Sequence, residues 1–361
     1  MAMTEFPLGD PLAVQRWSLS LAVEVAKSSY FSKFIGTDRS KSIIVRKDEL
    51  NKAAGEKITI GLRKKLSADG KEGDNVIEGD ATAEEAMNFF NDAVFIDQRR
   101  KSTKSKGKMS EQRVPYNLRR EGRDALAVWW SEVMDEDLFV YLSGARGVDT
   151  SFKTATTWTG RANNAIVVPD AAHQVYSGNA TSSADLDATD KISLMDIERL
   201  VAIAETTDPM IQGARVNGEN KFVLLMHTFQ AFDLRTSVTE NDWLDIHKAT
   251  DRGKSSLMYS NALGEYADVV LHKHRNVIRF SNYGVGANVP AARALFMGVQ
   301  AGLIAYGQGS GNNRYSWNED KDDRGNALAI TAGSIYGVKR TIFNNATYGL
   351  IALDSAAATV A

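Results

Sequence analysis

Apolar and polar positions change rhythm several times along the chain, and each rhythm predicts an element. Residues 57–62 alternate as a half-buried strand does, and residues 88–98 read as extended, with Phe90, Val94 and Ile96 on one parity. Between them, residues 67–80 are rich in Gly and Asp and carry Asp69, Glu72, Asp74, Glu78 and Asp80 against a single cation, Lys71. Residues 99–108 follow with Arg99, Arg100, Lys101 and Lys104 among their basic side chains. The pattern predicts an elongated hairpin with an acidic limb and a basic limb. It holds too few apolar residues for a core of its own.

Helical spacing is strongest over residues 111–142. Leu118, Gly122, Ala125, Leu126, Trp129, Val133 and Met134 recur at three- and four-residue steps, while Arg119, Arg120, Arg123, Glu132 and Glu136 fall mostly off that stripe. Pro115 is placed in the first turn, and Gly144 and Gly147 supply the stop. About 30 residues of helix make a rod of roughly 45 Å. Its stripe is expected to bury Leu126 and Val133, and reversal of the off-stripe Arg119 or Arg123 to Glu is expected to spare the isolated fold.

Elsewhere the texture is mixed. Residues 12–34 have helical spacing, with Trp17, Leu21, Val25 and Ala26 on one face that something must cover. Strands are expected at 165–168, 221–226, 268–280 (a long strand or hairpin limb) and 335–343. Helices are expected at 193–206, capped by Ser193 with Asp196 in its first turn, and at 289–305, where residues are small. Helices and strands without regular alternation favour α+β over a doubly wound sheet.

Length and composition then narrow the classes. The 361 residues suit two lobes, with 43% hydrophobic and 24% charged residues. The absence of cysteine removes disulfides, thiolate metal sites and cysteine nucleophiles together, and fits synthesis in a reducing cytosol. A net charge of −2 argues against a general nucleic-acid binder, yet suits a container that must not stick to its contents. No apolar run approaches the roughly 18 residues of a membrane span, and residues 1–10 lack a secretory pattern.

Three features imitate chemistry. Gly284-Val285-Gly286 follows an expected strand, but Val289 stands at the third glycine position of a dinucleotide fingerprint and Pro290 comes next. Gly253-Lys254-Ser255 ends like a phosphate loop, but Lys248 stands where its first glycine belongs. His272 and His274 share one strand face at metal-ligand spacing, yet Lys273 and Arg275 flank them, and a solvated or interface face is the better reading. No catalytic, cofactor-binding or metal-binding residue is therefore assigned. The basic run over 99–108 is read as a solvated limb, as a contact for an acidic surface on another copy, or as a DNA contact, in that order. The six tryptophans favour interfaces moderately.

The order of parts resembles the HK97-like capsid fold of tailed bacteriophages. Glu78-Gly79-Asp80, Phe95-Ile96-Asp97-Gln98-Arg99-Arg100 and Lys108-Met109-Ser110-Glu111-Gln112-Arg113 are similar to stretches of the family typified by the major capsid protein of N4-like phages. So are Leu142-Ser143-Gly144-Ala145-Arg146-Gly147, Ala294-Leu295-Phe296-Met297-Gly298-Val299-Gln300-Ala301 and Gly337-Val338-Lys339-Arg340. The likeness runs from Glu56 to Leu353 and is thinner over 148–193 and 1–40. It implies an N-terminal arm at 1–48, an extended loop at 49–108, and a peripheral domain with its spine helix at 109–165. An axial domain with returning peripheral strands is implied at 166–340, and a C-terminal strand and tail at 341–361.

The resemblance implies a shell subunit, not an enzyme, with no cofactor. Hexamers and pentamers would enclose double-stranded DNA without sequence specificity, in a virion assembled in the host cytoplasm, away from any membrane. A separate scaffolding protein, a portal and a decoration protein are the implied partners; a long charged helical prefix, which would act as a fused scaffold, is not seen. The expected contacts between subunits are Asp69, Glu72, Asp74, Glu78, Asp80, Arg99, Arg100, Lys101, Lys104, Arg119 and Arg123. The runner-up is an encapsulin-like nanocompartment shell. A cofactor-dependent soluble enzyme is the remote alternative.

Overall fold

The computed structural model describes residues 24–359, apart from 26–28, 38–40, 52–53, 68, 75–76, 81–82, 114, 116, 162, 217, 239–256 and 309–313. Trp17, Leu21, Ala26 and the Gly253-Lys254-Ser255 motif lie outside the described residues.

In chain order come strands β1 (Ile35–Thr37), β2 (Ile44–Lys47), β3 (Lys57–Arg63), β4 (Phe89–Phe95) and β5 (Asp97–Lys104), then helices α1 (Lys108–Arg113) and α2 (Leu118–Ser143). Next are β6 (Gly160–Arg161), β7 (Asn164–Ala165), β8 (Gln174–Tyr176), helix α3 (Leu194–Thr206), β9 (Ala214–Val216), β10 (Glu219–Met226) and helix α4 (Thr228–Ser237). Beyond them lie β11 (Gly264–Tyr266), β12 (Val269–Lys273), β13 (Arg279–Tyr283), β14 (Val289–Met297) and β15 (Gly302–Tyr306). The last are β16 (Tyr315–Asp322), β17 (Ala327–Arg340), β18 (Ile342–Phe343), β19 (Ala346–Thr347) and β20 (Leu350–Ala356).

Two sheets organise the chain. A six-stranded sheet runs β1-β2-β15-β17-β16. There β5 and β16 pair with the same stretch of β17, and so flank it. Its even-numbered residues Ile330, Ala332, Tyr336 and Val338 are buried, and Trp130 of α2 meets Tyr315 and Tyr336 edge-on at 5.4 and 6.0 Å. Helix α2 therefore lies on this sheet with Leu126, Val133 and Met134 of the predicted stripe buried, whereas Ala125 is exposed and Trp130, off that stripe, makes the ring contacts. Asn117 Oδ1 caps its start by accepting from the Arg119 and Arg120 amides, and Gly144 at φ 70° ends it. With Leu126 and Val133 each 1% exposed, Leu126→Ala should lower subunit stability by about 2–5 kcal/mol in urea unfolding, and Val133→Ala by less. A loss too small to measure in both would contradict this packing.

The second, eight-stranded sheet runs β11-β12-β10-β14-β20-β8, with β13 also on β14 and β9 on β10. One face of it packs toward α2, through Val223, Leu225, Leu295 and Met297. The other is covered by Ile197 and Leu200 of α3 and Leu234 of α4, over Leu224, Phe296, Ile351 and Leu353. Burial on both faces explains why the Phe222–Met226 stretch of β10 is an unbroken apolar run. Ser193 caps α3 as expected, and the Asp196 side chain returns to the Ser193 backbone to make the cap reciprocal.

Several expectations need correction. Residues 289–305 form no helix: they are β14 and β15, joined by a turn in which Gln300 has φ 60°. β14 is held by β10, β13 and β20, and three bonded neighbours outweigh the helix propensity of Ala-rich sequence. Residues 268–280 are not one limb, because β12 pairs with β10 and β11 whereas β13 pairs with β14. Of 165–168 only Ala165 lies in a strand, the two-residue β7. The long helix is interrupted: α1 ends at Arg113, and Pro115 sits in the bend before Asn117. Glu136, expected off the stripe, is buried at 4% exposure.

Candidate functional site

The hairpin stands on β3 and β4, paired in register from Lys57↔Phe95 to Arg63↔Phe89. Its base is anchored in the body. Ile58 and Val94 join a small core with Val45, Leu303 and Ala305. The Asn164 side chain grips Phe95 twice, accepting from its amide at 3.0 Å and donating to its carbonyl at 2.8 Å. Asp92 pairs with Lys339 and accepts from the Ile342 amide at 3.1 Å. A Cβ on Gly337 would lie 1.9 Å from the Phe95 carbonyl oxygen, so only glycine fits there. The Gly337-to-Arg340 motif is thus partly a seat for the hairpin.

Away from the base the polarity inverts. Leu66, Ile77, Met87 and Phe89 are 64, 55, 64 and 63% exposed, apolar side chains left uncovered by the described residues. Around it, Asp69, Glu72, Asp74 and Glu78 are exposed, and Lys71 pairs with Asp80 at 2.6 Å. The tip is ordered locally by its own acids: Glu85 accepts from Ser67 N and Oγ at 2.7 and 3.0 Å, and Glu84 from the Gly79 amide at 3.0 Å.

The basic run is not the second limb of this hairpin. It forms β5, antiparallel to β17 within the six-stranded sheet, with β4 and not β5 returning along β3. Alternation places Arg99 and Lys101 on one face, both beside the Trp129 ring, and Arg100 and Lys104 on the other. Arg99 turns inward, donating to Asp137 Oδ2 at 3.3 Å and to Tyr336 Oη at 3.1 Å, with its guanidinium 5.0 Å from the Trp129 ring centre. Lys104 pairs with Asp322, while Arg100 and Lys101 are exposed. Arg119 and Arg123 are also engaged within the subunit, Arg119 with Glu319 at 2.8 Å and Arg123 with Asp124 and Glu24 at 2.6 and 3.2 Å. The Glu319 side chain is only 5% exposed, so reversing Arg119 strands a nearly buried carboxylate and would not spare the fold.

Sequence reasoning missed the acidic triplet in the buried half of α2. Asp135 accepts from Ser29 Oγ, Tyr30 N and Phe31 N at 2.6, 2.7 and 3.3 Å, which ties the N-terminal segment to the helix. Glu136 accepts from the Lys153 amide at 2.8 Å, and Asp137 from Tyr336 Oη at 2.6 Å. Burial pushes the Asp135 carboxyl up to about 6, partly opposed by those hydrogen bonds. The available signal was three consecutive carboxylates within an otherwise apolar stretch.

His272 lies on no solvated face, and His274, just past the end of β12, is half-buried. His272 is fully buried, with Nε2 2.9 Å from the Met258 carbonyl and Nδ1 3.4 Å from Lys33 Nζ, and His274 stacks on Phe139 at 4.8 Å. Among the described residues no group of His, Asp and Glu side chains could hold a metal ion. Gly284–Gly286 lies in the loop between the paired strands β13 and β14, with no helix after it.

The buried histidines predict acid sensitivity. Burial, then neighbouring cations, bring His272 down to about 3 and His274 and His227 down to about 4. Each is lowered in the fold, so its contribution is complete above about pH 6.5 and is lost as pH falls toward 4. Asp135, Glu136 and Asp137, all raised by burial, work the other way as pH falls and offset part of that loss. From pH 7 to pH 4.5 any fall in subunit melting temperature should be smaller in His272→Asn than in the parent chain. An equal fall in that variant would remove His272 from the explanation.

Comparison with known proteins follows the same lines. The family described as phage capsid protein matches residues 5–359. The major capsid protein of Pseudomonas phage KPP25 is 27% identical over 348 residues, 91% of this chain and 89% of that one. The capsid of Ralstonia phage GP4 superposes with a TM-score of 0.86 at 40% identity, covering both chains fully. The Cyanophage Pam1 capsid asymmetric unit, at 19% identity, shares the fold with a TM-score of 0.72, over 100% of this chain and 95% of that one.

Proposed function

This chain belongs to the phage capsid protein family, and from that premise we propose how it builds the shell. It is a major capsid protein with the HK97-like fold, a structural protein of the phage head and not an enzyme. The observation that carries the mechanism is the anchored hairpin with an uncovered apolar and acidic tip. A subunit that exposes such a tip needs a second copy to cover it.

The hairpin extends over a neighbouring subunit, where Leu66, Ile77, Met87 and Phe89 lose water. Its Asp69, Glu72, Asp74 and Glu78 face exposed cations such as Arg100 and Lys101 on the next copy's β5. Opposite charge sets register and partner choice more than affinity. Arg99, Lys104, Arg119 and Arg123 first serve their own subunit and at most border the contact. The family match favours this phage reading over the nanocompartment.

Such contacts join unlike surfaces about rotation axes and close into rings, here hexamers and pentamers, which tile a curved shell. Many weak contacts per subunit hold it through multivalency. Residues 1–48 act as the arm, 49–108 as the extended loop, 109–165 as the peripheral domain, and 166–340 as the axial domain with returning strands. Residues 341–361 act as the C-terminal strand and tail. A separate scaffolding protein, a portal and a decoration protein take part; assembly is in the host cytoplasm, around double-stranded DNA held without sequence specificity.

Light scattering and electron microscopy of the full chain, produced with its scaffolding protein, test this reading. Rings or closed shells are expected. A monomer at every concentration would count decisively against it.

A further inference from the structure

We propose that Arg340 is the adjustable half of a two-arginine clamp on the C-terminal end of α2, and that it sets the angle between the two sheets. The last carbonyls of a helix lack partners within it and form its negative pole. Here two guanidiniums from different sheets meet that pole. Arg293 of β14, in the eight-stranded sheet, donates from Nη1 to the Ser143 carbonyl at 2.9 Å. Arg340, the last residue of β17 in the six-stranded sheet, donates from Nη1 to the Leu142 carbonyl at 3.4 Å and from Nη2 to the Val167 carbonyl at 2.8 Å. Both side chains are buried, at 3 and 2% exposure.

The joint is tight. Gly144 takes φ 70° there, and a Cβ on it would lie 2.2 Å from the Val167 carbonyl oxygen and 2.9 Å from Arg340 Nη1. This gives a physical meaning to the Leu142-to-Gly147 and Gly337-to-Arg340 motifs, which meet at this point.

The two arginines are held unequally. Arg293 makes a two-pronged pair with Asp354 of β20, both contacts at 2.7 Å, and Tyr283 and Gln174 complete that carboxylate at 2.9 Å each. Charge-assisted, bidentate bonds of this kind are the strong ones. Arg340 forms no ion pair with a carboxylate among the described residues, its Nε has no hydrogen-bond partner, and its Leu142 contact is long. Burial, then the nearby Arg293, bring its guanidinium down to about 10. Arg293 therefore stays with the helix end and the eight-stranded sheet, whereas Arg340 can slide along the Leu142 and Val167 carbonyls as the six-stranded sheet tilts. A subunit placed at positions of different curvature uses that tilt.

The test replaces Arg340 by Met, which keeps length and removes charge. Hydrogen exchange on the full-length unassembled subunit should accelerate about tenfold at residues 144–148 and 167–170, with little change in melting temperature, while Arg293→Met melts far lower. Arg340→Lys should fall between parent and Arg340→Met in exchange. Shells of Arg340→Met made with the scaffolding protein should vary in diameter. Parental exchange in Arg340→Met overturns the proposal. So does an Arg340→Met subunit as unstable as Arg293→Met, which would make the two arginines equal supports. Faster exchange with a single parental diameter overturns the link to curvature, which rests on the shell reading. Failure of the parental chain itself to form shells overturns that reading and leaves the exchange result standing.

Discussion

Removing residues 67–79 is expected to leave a folded subunit that no longer forms stable shells. The segment lies beyond the paired strands β3 and β4, and the anchors at Asn164, Lys339 and Gly337 lie at the other end of the hairpin. Among the described residues, none of this segment enters the body's cores, and Ile58 and Val94 belong to the base. What the deletion takes away is acidic charge and the exposed Ile77, surface that helps only when a second copy covers it. The loss repeats at every copy, so a small deficit per contact multiplies over the shell. Melting temperature should change by a few degrees at most, while sedimentation and electron microscopy show few or no particles. Normal particles from this deletion would sink the assignment of the hairpin as an inter-subunit tie. A milder pair tests the charge pattern: Lys101→Glu should lower particle yield, and Asp74→Lys in the same chain should restore part of it.

The largest effect on the isolated subunit is expected from Asp354→Ala. Asp354 sits in β20, between β14 and β8 of the eight-stranded sheet, fully buried, and accepts from Arg293, Tyr283 and Gln174. Truncation leaves a buried guanidinium without its counter-charge and two polar side chains without an acceptor. Breaking a buried pair from one side costs about 3–5 kcal/mol, a large part of the roughly 5–15 kcal/mol that holds a typical domain. Denaturant unfolding should show the loss, and replacing both partners, Arg293→Met with Asp354→Leu, should recover most of it. A loss below about 1 kcal/mol in Asp354→Ala would mean that the network is not what joins the strands.

Local sequence determined the elements whose partners lie close along the chain or whose pattern admits one answer. The stripe from Leu118 to Met134 defines a helix lying on a sheet. The alternation over 57–62 and the extended stretch after Asn88 define a hairpin. Ser193 and Asp196 mark where α3 begins, because a capping pair needs only three residues of context. The resemblance carried by six short motifs added the fold family, which periodicity alone does not reach.

Tertiary structure decided everything that depends on a partner far along the chain. Residues 289–297 are a strand because β10 and β20 bond them on either side, and Ala-rich sequence does not oppose that outcome. The basic run became a body strand because Arg99 finds Asp137 and β17 offers a free edge, and neither is visible from residues 99–108 themselves. His272 and His274 share the predicted face, but alternation cannot say whether a face meets water or Phe139. Arg293 and Arg340 look like two unrelated charges in the sequence. Only the end of α2, where unpaired carbonyls attract cations, brings them to one joint.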